Sequence, residues 1–176
     1  MVSANEFSHI IKLDEIGAGA STIRLSADAA TREALAVRFD LAALESLDAE
    51  LSVSRDSKGI MVEGRIRSTL SQYCIATGDP VSVALDEPVK IRFLPEPVER
   101  VETEIELEAD DCDSMFYEGQ SIDLGEAVAQ SLGLALEPYP RGANAAEQLK
   151  AAGVKAEDDI APTGALAGLK DLLAKN

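Results

Sequence analysis

The chain is poor in the residues on which catalytic and metal sites most often depend. Its 176 residues include two cysteines, one histidine and no tryptophan. Cys74, Cys112 and His9 would supply three of the four ligands that a structural zinc ion needs, and they are far apart in sequence. One histidine near the start of the chain gives no basis for a Ser-His-Asp or Cys-His arrangement. We therefore expect a protein that is not an enzyme and holds no metal or cofactor.

Long apolar runs are absent as well. No stretch of 18 or more apolar residues occurs, so no transmembrane helix is predicted. The first residues, MVSANEFSHIIKLDEIG, lack the basic start and apolar run of a secretory signal. Two cysteines that are 38 positions apart are more typical of reduced thiols than of a disulfide framework. These features predict a cytoplasmic protein.

Basic residues are scarce, with 16 against 32 acidic residues and a net charge of −16. Residues 96–126 contain twelve acidic residues and one base, Arg100. This charge repels a phosphate backbone unless the bases cluster, and it favours a basic protein as partner. The residues expected to bind that partner are the acidic ones of the run: Glu102, Glu104, Glu106, Glu108, Asp110, Asp111 and Asp113.

The first half of the chain changes its hydrophobic period from 3.6 to 2. Residues 26–40 are predicted to form a helix capped by Ser26 or Asp28. The three-residue spacing of leucines over 41–47 suggests another short helical turn. Residues 47–53 and 60–70 then alternate as the two strands of a hairpin, in which Gly64 could mark a bulge.

Further strands are predicted at 81–85 and 89–93, followed by the alternating segment 101–109. If this last segment pairs antiparallel with residues 89–94, its glutamates lie beside Lys90 and Arg92. An alternative function is direct RNA binding through a basic strand face. The bases available for that contact are Arg65, Arg67, Lys90 and Arg92.

The strongest helical pattern covers residues 123–136. Asp123 is the expected N-cap, and Glu126 follows three residues later as in a capping box. Leu124 begins an apolar stripe with four-residue spacing, and Pro138 stops the helix. Gly125 and Gly133 are expected to allow close packing on the sheet.

Together these patterns predict one α+β domain over residues 1–140, built from a curved antiparallel sheet of about six strands with one or two packed helices. Residues 141–165 are predicted to be a flexible linker with a weak helical signal at 144–152, and residues 166–176 a short amphipathic helix in a flexible tail. A small-ligand-binding protein with a pocket between sheet and helix is a third functional possibility, which no motif favours.

Three segments, in this order along the chain, resemble the YceD family: GRIRSTLSQYCIATGDPV, IDLGEAVAQSLGLALEPYP and APTGALAGLK. Members of that family are described as large ribosomal RNA subunit accumulation proteins. The resemblance covers residues 60–170 and implies a ribosome-biogenesis factor whose partner is a ribosomal protein or a large-subunit assembly intermediate. The family motif positions fall on Cys74, Asp123, Leu124, Pro138, Leu169 and Lys170.

The chain departs from the family pattern at two places. Thr77 stands where many members have the second cysteine of Cys-x-x-Cys, and residues 161–163 stand where they have Asn-Pro-Phe. Without the second cysteine, Cys74 is expected to pack as a small apolar side chain at the hairpin corner formed by residues 77–80.

Overall fold

The computed structural model of the protein describes residues 6–96 and 113–155, which form an α+β fold as the sequence predicts. Within these ranges the chain forms two sheets and three α-helices, together with a short 3₁₀ turn. The elements are β1 Ile10–Lys12, the turn Leu13–Glu15, β2 Ser21–Ser26, α1 Ala29–Arg38, β3 Leu41–Arg55, β4 Ile60–Tyr73, β5 Pro80–Pro95, β6 Ser114–Tyr117, β7 Ser121–Asp123, α2 Leu124–Ala135 and α3 Ala145–Ala151.

The larger sheet has five strands in the order β2-β3-β4-β5-β6, and the long strands β3, β4 and β5 form its centre as consecutive hairpins. Its pairings are antiparallel except the last, where β6 runs parallel to residues Arg92–Pro95 of β5. The predicted strand 101–109 lies outside the described residues. Its expected antiparallel pairing with residues 89–94 therefore stays a prediction, although over Arg92–Leu94 the described residues place β6 on that edge of β5.

The predicted helical turn over residues 41–47 is wrong, since β3 begins at Leu41. Leu41, Leu44 and Leu47 are all buried on one face of this strand. Pairing with β4 is irregular between Leu41 and Ala43 and again between Leu44 and Ser46. Each irregularity inserts one residue, so the apolar spacing grows from two to three and imitates a helical period.

Gly64 does not mark a bulge. It pairs in regular register with Leu51 on one side and Val89 on the other. A Cβ atom at this position would collide with the backbone carbonyl oxygen of Glu50. Glycine is therefore required here by the close approach of β3 rather than by an irregular backbone.

Strand β5 is continuous through Pro88, where the sequence suggested two separate strands. The backbone amides of Arg92 and Glu96 donate hydrogen bonds to the carbonyl oxygens of Asp113 and Tyr117, which lie on the side of β6. Because backbone groups alternate between the two edges of a strand, even-numbered residues of β5 direct their N–H groups away from β4. Pro88 is one of them, so its missing N–H removes no bond from the β4–β5 ladder.

The core lies between the larger sheet and helices α1 and α2. Leu124, Val128 and Leu132 of α2 are almost fully buried, which confirms the predicted stripe, and Leu35 fixes α1. Strand β7 leads directly into α2 and pairs with β1 in a separate two-stranded sheet.

The two helix glycines do allow close packing, but against other elements than the sheet. Added Cβ atoms would lie 2.7 Å from the carbonyl oxygen of Phe7 at Gly125, and 2.8 Å from the ring of Phe39 at Gly133. The expected contact surface was wrong because α2 is crossed here by the N-terminal segment and by the end of α1.

The weak helical signal after residue 140 corresponds to α3, whose first residue, Ala145, is buried. Helix α3 lies inside the range predicted as a linker. The proposed linker and C-terminal helix extend into residues 156–176, which lie outside the described residues, so the division of the chain at 140 and 165 stays a prediction.

Candidate functional site

The predicted RNA-contact residues Arg65, Arg67, Lys90 and Arg92 come from adjacent strands, β4 and β5, and their register places them on one exposed face. We call this surface the exposed sheet face. It also includes charged residues from the neighbouring strands and the β3–β4 turn. Those further members are Arg24, Asp48, Glu50, Asp56, Glu63 and Asp86.

Basic and acidic side chains alternate across this face. Asp86 accepts a hydrogen bond from Nε of Arg65 at 2.7 Å and lies 3.6 Å from Nε of Arg67. The bond from Arg65, helped by the charge of both arginines, holds the pKa of Asp86 below its ordinary value. The structure thus brings the predicted bases together but places a carboxylate between them.

The same compensation extends to both sides of the face. Arg24 contacts Glu50 at 2.8 Å, and Arg92 contacts Asp56 at 3.0 Å. Lys90 stands opposite Glu63 in the β4–β5 register. The hydrogen bond from Arg92 holds the pKa of Asp56 below its ordinary value. The exposed sheet face is therefore a mosaic close to neutral, rather than a basic patch.

The predicted protein-binding residues from Glu102 to Asp111 lie outside the described residues, and Asp113 lies at the edge of them, just before β6. At the opposite end of the β5–β6 pair from Asp113, Glu96 and Glu118 carry like charge in close contact. A hydrogen bond with Glu118 and repulsion from its charge raise the pKa of Glu96. Two adjacent carboxylates of this kind form a place where a basic group would bind favourably.

Asp123, a family motif position, connects the start of α2 to the N-terminal segment. Its Oδ1 accepts hydrogen bonds from the amides of Gly125 at 3.0 Å and Glu126 at 3.2 Å, as an N-cap does. The same carboxylate also accepts the amide of His9 at 2.8 Å and the hydroxyl of Ser8 at 2.7 Å. The sequence predicted the cap but not the second role.

Glu126 does not complete the capping box. Its carboxylate accepts hydrogen bonds from both terminal nitrogens of Arg38, at 2.7 and 2.9 Å, and so joins α2 to the end of α1. The hydrogen bond from Arg38 lowers the pKa of Glu126 despite its partial burial. Half of the predicted box is therefore wrong, because a bidentate arginine outcompetes the weak return bond of a box.

Two segments that resemble the YceD family meet at one end of the sheet, in a contact that we call the motif junction. The side-chain amide of Gln72 donates to the carbonyl of Glu137 at 2.9 Å, and the amide of Ile75 donates to the carbonyl of Pro140 at 3.0 Å. Pro138 lies within the docked segment and is itself exposed. The junction joins the β4–β5 corner to the chain that follows α2.

Cys74 lies at the centre of the motif junction. It is 2% exposed, and its Sγ accepts the amide of Gly142 at 3.4 Å. This bond, with a second from the hydroxyl of Thr77, lowers the pKa of the thiol to about 7. The predicted hairpin corner and the burial are confirmed. The role as a hydrogen-bond acceptor was missed, because Gly142 is 68 positions away.

Three exposed apolar side chains surround this junction: Tyr73, Ile75 and Tyr139 are 48%, 53% and 71% exposed. Alternation continued past Tyr73, the last residue of β4, could have predicted that Tyr73 and Ile75 point away from the core when Cys74 points inward. Nothing in the sequence indicates that Tyr139 joins them.

A groove of about 360 Å³ lies between β5 and α2, near the place where a small ligand was considered. The two polar side chains that α2 contributes to this groove are already hydrogen-bonded within the helix. Gln130 donates to Glu126, and the hydroxyl of Ser131 donates to the carbonyl of Ala127 in its own helix. On the helix side of the groove, the polar atoms that could orient a bound small molecule are thus engaged within α2.

Over residues 6–96 and 113–155, no group of three or more histidine, cysteine or acidic side chains is arranged to hold a metal ion. Within the same ranges no helix is long and apolar enough to cross a membrane. The motif positions Leu169 and Lys170 lie outside the described residues.

Comparison with known proteins gives a family match whose range spans all three motifs. No curated protein and no solved structure matches the chain. The family described as large ribosomal RNA subunit accumulation protein YceD matches residues 62–173, a range that contains both sides of the motif junction and Asp123. Since this range is well over half of the chain, the protein belongs to the YceD family.

Proposed function

We propose that the protein is a non-enzymatic factor of ribosome biogenesis, which acts in the cytoplasm by binding a basic ribosomal or assembly protein. Membership of the YceD family supports the general role in accumulation of large-subunit ribosomal RNA. The observation that carries the choice of a protein partner is the exposed sheet face. Arg65, Arg67 and Arg92, its candidate RNA contacts, each have a carboxylate within 4 Å.

The distribution of charge along the chain also favours a basic protein over RNA as the partner. An arginine that already pairs with a carboxylate releases little additional counterion on meeting a phosphate, so it adds little RNA affinity. The acidic run from Glu102 to Asp111 and the Glu96–Glu118 pair instead attract cationic side chains. Such complementarity accelerates encounter with a basic protein and weakens as salt rises.

Direct RNA binding is the second candidate function, because the structure does place Arg65, Arg67, Lys90 and Arg92 on one face. The two candidates predict different partners for the purified protein. Binding should be measured in parallel to large-subunit ribosomal RNA and to large-subunit ribosomal proteins freed of RNA, at low and at moderate salt.

We expect binding to the ribosomal proteins, and reversal of charge at Glu104 and Glu106 to lysine should weaken it. The matched control reverses Asp14 and Glu15, two exposed acids that change the net charge by the same amount. Equal loss in both variants would assign the effect to net charge alone. Unchanged protein binding with a steep salt dependence of RNA affinity would overturn the proposal.

A further inference from the structure

We infer that the open edge of β5, from Ser82 to Lys90, binds an extended basic segment of the partner protein as an added β-strand. This inference rests on the proposed function, since it names the part of the molecule that receives the basic partner. Strand addition uses main-chain hydrogen bonds for affinity and side-chain pockets for specificity.

The first support is the direction of the backbone groups. The bonds from the amides of Arg92 and Glu96 to β6 show that even-numbered residues face this edge. Odd-numbered residues of β5 face β4, with which β5 is paired from Pro80 to Phe93. Four N–H groups are therefore presented at the edge, and Pro88 presents a carbonyl only. The four belong to Ser82, Ala84, Asp86 and Lys90.

The second support is the space next to that edge. Strand β6 begins at Ser114, opposite Arg92, so within the described residues the sheet position next to Ser82–Lys90 is vacant. The groove between β5 and α2 continues the line of β6 over residues 87–91. On its helix side Leu134 is 84% exposed. An added strand would cover this side chain with every second residue.

The third support is charge. The charged residues lining the groove are Glu87, Lys90 and Asp113. Lys90 alternates with the buried Val89 and Ile91, so its side chain lies on the exposed sheet face and not on the helix side. The helix side is thus acidic, like the chain as a whole, and it fits a strand that carries lysine or arginine next to apolar residues.

Charge also decides between possible occupants. A second copy of this chain would bring another net charge of −16 to the same edge and would be repelled. The chain's own residues 101–109, which alternate apolar and acidic side chains, are the competing occupant that the experiment must recognise.

Amide hydrogen exchange of the full chain tests the inference, first alone and then with two synthetic peptides. One peptide alternates lysine and valine over twelve residues. The other has the same charge but carries proline in place of valine, so it cannot add as a strand. We expect fast exchange at Ser82, Ala84, Asp86 and Lys90 in the free protein. Exchange there should slow about tenfold or more with the first peptide only.

Substitution of Lys90 gives an independent readout. Lys90→Pro removes an N–H from the open edge of β5 but none from the ladder with β4. Lys90→Ala is the matched control that keeps the N–H. Peptide affinity measured by fluorescence anisotropy should fall about tenfold in the proline variant relative to the alanine variant. Ala84→Pro with Ala84→Val is a second such pair in case Lys90→Pro is poorly folded.

Three results would overturn the inference without overturning the proposed function. The first is protection of the even-numbered amides in the free protein, which would mean that the chain's own residues 101–109 occupy the edge. The second is equal affinity of the proline and alanine variants. The third is that RNA-free ribosomal proteins bind but slow amide exchange only at residues outside Ser82–Lys90, which would leave the proposed function standing. Failure of these ribosomal proteins to bind at all would remove both.

Discussion

The exposed sheet face and the motif junction hold polar groups together in opposite ways. On the exposed sheet face, side chain meets side chain in water, as in the contact of Arg24 with Glu50, where the side chains are 78% and 50% exposed. At the motif junction, the buried Cys74 instead accepts a backbone amide from a distant segment. Solvated pairs contribute little stability, whereas a buried acceptor that loses its function leaves a backbone donor unsatisfied.

The comparison explains why the family motif positions can be important without lying on a binding surface. Asp123 and Cys74 accept backbone hydrogen bonds that join segments far apart in sequence, at the N-terminal segment and at the segment after α2. Their first role is to hold α2 and its flanking segments on the sheet. The charges expected to meet a partner lie elsewhere, along β5, at the two ends of β6 and in the acidic run.

The largest effect is expected from Asp123→Ala. The substitution removes the acceptor for the amides of His9, Gly125 and Glu126 and for the hydroxyl of Ser8. We expect the free energy of unfolding in urea to fall by about 2 kcal/mol. Asp28→Ala, which removes the cap of α1 and its bond to Thr31 only, is the control and should lose less. Equal losses would mean that the link to the N-terminal segment adds nothing.

A smaller loss is expected when Arg38 is replaced by alanine, which leaves the half-buried Glu126 without its bidentate partner. We expect the free energy of unfolding to fall by about 1 kcal/mol, because solvent partly screens the ion pair. The pKa of Glu126 is lowered in the folded state. The stability that its ionised carboxylate contributes is therefore present above the ordinary pKa of a glutamate, and it is lost as pH falls through the pKa of the folded state. Urea unfolding at pH 7 and near pH 3 should therefore show a difference between wild type and variant that is smaller in acid.

The thiol of Cys74 is expected to make the stability of the fold depend on pH between about 7 and 9. The thiol has a pKa of about 7 when folded, below its ordinary value of 9.0, because Gly142 donates to the sulfur. Since the folded pKa is the lower one, stability gained from the thiolate should grow between about pH 7 and pH 9 and be lost as pH falls through 7. Melting temperatures of the wild type and of Cys74→Ser over this range would measure it. Parallel curves for the two proteins would contradict the assignment.

The smallest effect on stability is expected on the exposed sheet face. Asp86→Asn removes a carboxylate shared by Arg65 and Arg67, yet both side chains stay solvated, so the urea midpoint should match that of the wild type. The same change should raise the affinity for RNA at low salt, because two arginines lose their competing carboxylate. Gel-shift titration with large-subunit ribosomal RNA would measure this. A destabilised Asp86→Asn protein would contradict the contrast between the two regions.

Local patterns in the sequence predicted the fold class, the hairpins, the cap at Asp123 and the stripe of α2, because each depends on neighbours within one element. The spacing of Leu41, Leu44 and Leu47 led to the wrong prediction of a helical turn. Two irregularities in the pairing of β3 produced the same three-residue period as a helix. A strand's period is visible in sequence only where its pairing is regular.

The site was predicted less completely than the fold. Arg65, Arg67, Lys90 and Arg92 were correctly expected on one face by alternation, but the carboxylate of Asp86 between two of them depends on the β4–β5 register. The links of Cys74 to Gly142 and of Asp123 to His9 cross 68 and 114 positions of the chain. Sequence spacing carries no information on such contacts, because tertiary packing alone brings their partners together.

The most direct test of the central claim is gradient sedimentation of the tagged full-length protein from cell lysate, with and without ribonuclease. If a ribosomal or assembly protein is the direct partner, the protein should sediment with large-subunit precursors at low salt. After ribonuclease it should remain in protein complexes larger than itself. Migration as free protein in both gradients, or complete release by ribonuclease, would contradict a contact made through protein.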